Sequence, residues 1–291
     1  MSCGWRGGLF CIALVVLCSG FAARGATQER PRPGPQGEES EALRAQSWLV
    51  PSGAPQLLSH ATLFRPPGAG PFPLALIAHA STESPLQRAL MKPMRYEALA
   101  AFFVRKGYAV IVPERAGHGA TGGPYLEAQG GCVNADYIRA GYATADAIQA
   151  AFDFMRQQSF IKRDGALVVG HSAGGWGALA LAPRIPAGLA QIIVFAPGRG
   201  GRAEGMANAV CAPDRLIAAA GEFGRTARVP VTWLVAENDS YFSPVLSKAM
   251  ADAFASGGAK VDFRVLPAHG SDGHALAEAK DGGRLWGDAL K

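Results

Sequence analysis

Long hydrophobic runs, charge and cysteine are all scarce in this sequence, and each scarcity closes off a class of protein. The longest apolar run, Leu9 to Leu17, is too short to span a bilayer comfortably as a helix. Charged residues make up 18 % of the 291 residues, below the usual quarter or so. The net charge of +5 comes with no basic block and no interleaving of arginine with aromatics, so no nucleic-acid partner is expected. His118 has no second His or Cys at ligand spacing, and the glycines around it are followed by no Lys-Ser/Thr. No metal and no other cofactor is therefore expected. There is no internal repeat, and the sequence carries no signal for an oligomeric state.

The N-terminus has the layout of an export signal. Arg6 precedes the apolar run, and small residues continue through Ala26, with cleavage after Ala22 or Gly25 suiting the small-residue rule. Residues 1–25 are thus expected to be a signal peptide, 26–45 a flexible leader rich in Pro, Gly, Gln and Glu, and 46–291 one domain. Lipid attachment at Cys18 is disfavoured by the bulky Leu17 before it. Cys3, Cys11 and Cys18 leave with the signal, so Cys132 and Cys211 remain as an even pair in an oxidising compartment. A disulfide between them is expected, with two buried free thiols as the alternative. After cleavage no stable membrane insertion is expected of the periplasmic or secreted protein.

What is abundant is apolar residues, at 49 %, arranged as short runs alternating with amphipathic stretches. Leu57 to Phe64, Leu74 to Ala78, Tyr108 to Val112, Ala166 to Val169, Gln191 to Phe195, Val231 to Val235 and Val261 to Leu266 read as strands. Helical spacing appears in Met94 to Lys106, Asp136 to Gln158, Ala173 to Leu181, Pro244 to Ala255 and His274 to Lys280. This alternation predicts an α/β fold, a mostly parallel central sheet with helices on both faces. The stretch from Pro197 to Arg228 is longer than a simple crossover and predicts an excursion over the strand ends.

One junction carries chemistry. In Gly170-His171-Ser172-Ala173-Gly174 a serine stands between a buried strand and a helix. A turn that sharp excludes a Cβ on either side, and glycine supplies that freedom. The serine is lifted out of the sheet, and the helix start offers backbone N–H groups and a positive dipole end. With 37 glycines in the chain the pentapeptide alone says little; strand before and helix after give it weight.

Extended to Gly175-Trp176-Gly177, the segment resembles the nucleophile elbow of the α/β-hydrolase superfamily, in its dienelactone-hydrolase-like and esterase-like branches. The resemblance covers most of the chain from about Leu57. It implies a catalytic order of Ser, acid and His, each after a strand. Asp239, in Ala236-Glu237-Asn238-Asp239-Ser240 after Val231 to Val235, matches the acid, with Glu237 as competitor. Beyond Leu266, His274 in Asp272-Gly273-His274 resembles the family's base segment, with His269 the alternative. The oxyanion hole is expected from the amide of Ala173 and a second amide at Ala80 or Ser81, Ser81 preferred. In His79-Ala80-Ser81, Ala80 stands where the family usually has Gly. The Arg115-Ala116-Gly117-His118-Gly119 loop resembles one that borders the family's active site.

The resemblance implies a serine hydrolase that cleaves a small-molecule carboxylic ester through Ser172, His274 and Asp239, and the N-terminal signal layout makes it an exported one. A serine peptidase on the same fold is the first alternative. A binding protein that keeps the fold without catalysis is the second.

Overall fold

The computed structural model describes residues 1–4 and 31–290, and everything below concerns the unit from Pro31 onward. The expected signal peptide, together with Cys11 and Cys18, lies outside the described residues apart from its first four. Among the described residues no helix is long and apolar enough to cross a membrane.

Nine strands form one sheet: β1 (Gly34–Gln36), β2 (Gln46–Pro51), β3 (Leu58–Phe64), β4 (Leu74–Ala78), β5 (Ala109–Pro113), β6 (Ala166–His171), β7 (Leu189–Phe195), β8 (Val231–Ala236) and β9 (Val261–Leu266). Their order is β1-β2-β3-β5-β4-β6-β7-β8-β9. The first three are antiparallel to their neighbours, and β5 through β9 are parallel. The central strands β4, β5, β6 and β8 are buried along their whole length and largely apolar, because both sheet faces are covered there. In β4 the period of two is visible in the packing. Leu74, Leu76 and Ala78 enter one core with Trp176 and Phe223, while Ala75 and Ile77 enter the other with Phe103 and Trp286.

The helices are α1 (Pro85–Ala89), α2 (Glu97–Arg105), α3 (Tyr137–Met155), α4 (Ala173–Leu181), α5 (Pro213–Gly224), α6 (Pro244–Ala255) and α7 (Gly283–Trp286). In α3 the Asp136 carboxylate accepts the amide of Arg139, and Tyr137, Ala140, Thr144, Ile148, Phe152 and Met155 bury one face.

Three expectations are corrected. The flexible leader over 26–45 is not flexible throughout: Gly34–Gln36 pairs antiparallel with β2, and Ala42–Arg44 forms a 3₁₀ turn. Arg44 anchors that turn by donating to the carbonyls of Pro66 and Gly68. Composition reads such a segment as polar linker because pairing partners supply the order. The excursion from Pro197 is shorter than expected, since α5 is an ordinary crossover helix packed against α3, α4 and α6. His274 starts no α-helix; Gly273–Ala277 is a 3₁₀ turn, where Asp272 accepts the His274 amide at 3.0 Å.

The disulfide joins Cys132 and Cys211, with Cα atoms 4.7 Å apart. It clips the loop before α3 to the segment after β7, where the Cys211 amide donates to Gly200 at 2.9 Å. The closed loop spans 79 residues. Replacing both cysteines by serine is expected to remove about 2–4 kcal/mol of stability, read from urea melts of parent and variant.

Candidate active site

Strand β6 delivers Ser172 at its C-terminal end, where α4 begins one residue later. Ser172 has φ 52° and ψ −118°, a backbone conformation that L-residues rarely hold. The glycines around it are dictated by contact. A Cβ on Gly174 would lie 2.1 Å from the Ala78 carbonyl oxygen, and one on Gly170 would lie 2.5 Å from Gly175 Cα. The bend is pinned by the Ser172 amide donating to Phe195 at 2.9 Å and the Gly198 amide donating to Ser172 at 3.2 Å.

Strand β8 ends at Ala236, and Asp239 follows in a tight turn, its side chain wholly buried. One carboxylate oxygen, Oδ1, accepts the amides of Tyr241 and Phe242, both at 2.8 Å. The other, Oδ2, lies 3.0 Å from Nδ1 of His274. Nε2 of the same ring lies 3.0 Å from the Ser172 hydroxyl. Tyr241 stacks on the imidazole with centroids 4.1 Å apart. The Asp239 turn and the His274 turn are stitched together: Asp272 accepts the Ser240 amide and hydroxyl, and the Gly273 amide donates to Asn238.

The two alternatives fall elsewhere. Glu237 is exposed. His269 points to Asp281, 3.1 Å away on the surface. His274→Ala should therefore lose hydrolytic turnover by several orders of magnitude. His269→Ala should stay within about twofold of the parent, because surface changes away from a site cost little. Parallel kcat measurements on the two variants check this.

A model of the serine aminopeptidase S33 family matches residues 91–220, taking in Ser172 and stopping short of Asp239 and His274. No curated protein sequence matches the chain. Among solved structures, the acylaminoacyl peptidase of Pyrococcus horikoshii aligns with 82 % of this chain and 39 % of its own, at 12 % identity and TM-score 0.59. A puromycin-hydrolyzing peptidase of Mycobacterium tuberculosis covers 83 % and 40 %, at 17 % identity and TM-score 0.55. Est1E of Butyrivibrio proteoclasticus with ferulic acid bound covers 75 % and 88 %, at 16 % identity and TM-score 0.53. The chain thus spans about two fifths of the two peptidases. With the sheet order and the strained serine after β6, the fold is decided. This chain has the α/β-hydrolase fold.

In this fold a cavity of about 250 Å³ opens over the serine. Ser172, Ala173, Ser81, Arg199, Arg202 and Tyr241 are among its walls. Ala80 and Ser81, the rival oxyanion donors, differ in what their amides already do. The Ala80 amide donates to the Tyr96 hydroxyl at 3.0 Å and is thereby occupied. Ala80 is not among the residues with positive φ, so glycine is not required where the family usually has it.

The Ser81 hydroxyl has its own partner, Nε2 of His118 at 2.8 Å. His118 Nδ1 faces the carbonyls of Ala116 and Arg115, at 3.1 and 3.2 Å, so that nitrogen carries the proton. Burial, helped by the Arg115 charge, lowers His118 to about 4, which leaves the ring neutral near pH 7. Its Nε2 therefore accepts, and the Ser81 hydroxyl donates away from any substrate. Of the Ala80 and Ser81 amides, the Ala80 one is thus the one already engaged, by the Tyr96 hydroxyl.

A buried charge cluster escaped the sequence reading. Glu127 pairs with both Arg115 and Arg199, and all three side chains are at most 3 % exposed. Burial works against the Glu127 carboxylate, but the two guanidinium groups outweigh it and hold the carboxyl well below its usual range. Arg115 Nη1 donates to the His79 carbonyl at 2.7 Å, and the Arg115 amide donates to His79 Nε2 at 3.0 Å. The cluster thus braces the loop that carries Ser81. The available signal was Arg199 in Pro197-Gly198-Arg199-Gly200-Gly201, a lone charge in a stretch of small residues after a buried strand.

Proposed function

We propose that this α/β-hydrolase is an exported serine hydrolase that cleaves small carboxylic esters through an acyl-enzyme. The observation that carries the reading is the unbroken hydrogen-bonded chain Ser172–His274–Asp239 opening on a cavity. Ser172 attacks the ester carbonyl as Nε2 of His274 takes its proton. Asp239 fixes the imidazole through Nδ1 and stabilises the imidazolium that forms. The amides of Ala173 and Ser81 receive the negative charge on the carbonyl oxygen. His274 then protonates the departing alcohol, and the same ring activates water to release the acid.

A cavity near 250 Å³ favours a short acyl or alcohol group over an extended chain. The disulfide supports passage through an oxidising compartment. A second reading, a peptidase on the same site, is favoured by the S33 match over residues 91–220. Short p-nitrophenyl esters set against aminoacyl p-nitroanilides separate the two. Serine peptidases also cleave activated esters, so anilide turnover decides: ester turnover with no measurable anilide turnover supports esterase action, and turnover of both supports the peptidase.

A further inference from the structure

Three polar side chains behind the triad have no part in the chemistry just described. His171, one residue before the serine, is 2 % exposed and turns away from the cavity. Its Nε2 lies 2.7 Å from the backbone carbonyl of His274. A carbonyl can only accept, so this nitrogen carries a proton and donates to the residue whose ring is the base. Nδ1 lies 3.0 Å from the Tyr96 hydroxyl and 3.1 Å from Oε1 of Glu278. The same Tyr96 hydroxyl accepts the Ala80 amide at 3.0 Å.

The chain of contacts therefore begins at the residue before Ser81 and ends on the backbone of His274. It joins the loop after β4 to the loop after β9 through the elbow itself. Tyr96 reaches this place from a left-handed conformation, φ 47° and ψ 45°, at the start of α2. A buried tyrosine keeps that conformation only where surrounding contacts over-determine it.

Proton accounting tightens the picture. The Tyr96 hydroxyl has one proton to give, and it already accepts one from Ala80. Nδ1 of His171 has both the Tyr96 hydroxyl and, at ion-pair distance, a Glu278 carboxylate oxygen beside it. Burial opposes ionisation of Glu278, but the hydrogen bond with His171 outweighs it and lowers its carboxyl.

We propose that Tyr96, His171 and Glu278 are positioning residues that couple the oxyanion loop to the base. They hold the His274 backbone and the Ala80 amide in register with Ser172. This rests on the reading of Ser172 and His274 as nucleophile and base. The arrangement serves the transition state more than substrate binding, because none of the three side chains lines the cavity. A misplacement of the base by about 1 Å can cost on the order of a hundredfold in rate.

The test uses the full chain with p-nitrophenyl acetate, comparing Tyr96→Phe, His171→Phe, Glu278→Ala, Glu278→Gln and Ser172→Ala. Glutamine keeps a polar partner of the same shape beside Nδ1 without the charge. Glu278→Ala and His171→Phe are expected to lower kcat about 10- to 100-fold with KM within about twofold. Glu278→Gln is expected to recover most of that loss. Should His171→Phe fail to fold, the Glu278 pair and Tyr96→Phe still decide.

Parental kcat in both Tyr96→Phe and Glu278→Ala overturns the proposal. Equal losses in Glu278→Ala and Glu278→Gln, or a loss confined to KM, overturn it as well. An active Ser172→Ala would instead remove the reading on which the proposal rests. An inactive Ser172→Ala beside fully active Tyr96 and Glu278 variants removes the proposal alone.

Discussion

Replacing Ser172 by alanine should lower kcat on short p-nitrophenyl esters by about 10⁴- to 10⁶-fold, leaving only what the oxyanion hole and binding supply. The loss is large because no neighbour can substitute. His274 Nε2 has the Ser172 hydroxyl as its partner, and the Ser81 hydroxyl donates to His118. The fold should survive the change. Alanine carries the same Cβ through the same strained turn, and the amide contacts to Phe195 and from Gly198 are backbone. The melting temperature should move by no more than about 2 °C, as for a change that opens no cavity. A variant that is both inactive and unfolded would say nothing about nucleophilicity, so circular dichroism accompanies the kinetics.

The second large effect is on stability. Glu127→Ala strips the shared counter-charge from Arg115 and Arg199, which stay buried. Breaking a buried ion pair from one side costs about 3–5 kcal/mol, because the remaining charge keeps its desolvation penalty. For a domain of this size that is roughly a 10 °C fall in melting temperature. The variant should also lose activity, since Arg115 holds the His79 carbonyl at the root of the Ser81 loop.

The pH dependence has a definite sign. The Glu127 carboxyl is depressed in the folded state, so its contribution is present above the unfolded value near 4.3 and fades as pH falls through the folded value. The gap in melting temperature between parent and Glu127→Ala should be widest near neutrality. It should narrow progressively below about pH 4, as measured by calorimetry across a pH series.

The two effects differ in how far the sequence revealed them. Ser172, Asp239 and His274 were legible because each sits at a strand end, and strand ends are written locally in apolar runs and glycines. The order of three strands then carried the geometry. The Asp272-Gly273-His274 segment favours His274 over His269, and the structure places His274, and not His269, against Asp239. Strand β2 was missed, since Trp48-Leu49-Val50 follows a polar leader and shows no alternation.

The Glu127 cluster and the Tyr96–His171–Glu278 chain were not legible for a different reason. Their members are far apart in sequence, 72 residues from Glu127 to Arg199 and 182 from Tyr96 to Glu278. Each looks locally like an ordinary charged or polar residue. Only the packing of loops at the C-terminal ends of the strands makes them partners. Local rules therefore found the groups proposed to do chemistry and missed the groups that hold them in place.

The central claim is that Ser172 is an activated nucleophile, and a fluorophosphonate probe tests it most directly. The native protein should take up one probe per chain, with peptide mapping placing it on Ser172 and none on the Ser172→Ala variant. Ester turnover without labelling, or a label on any other residue, would contradict the account.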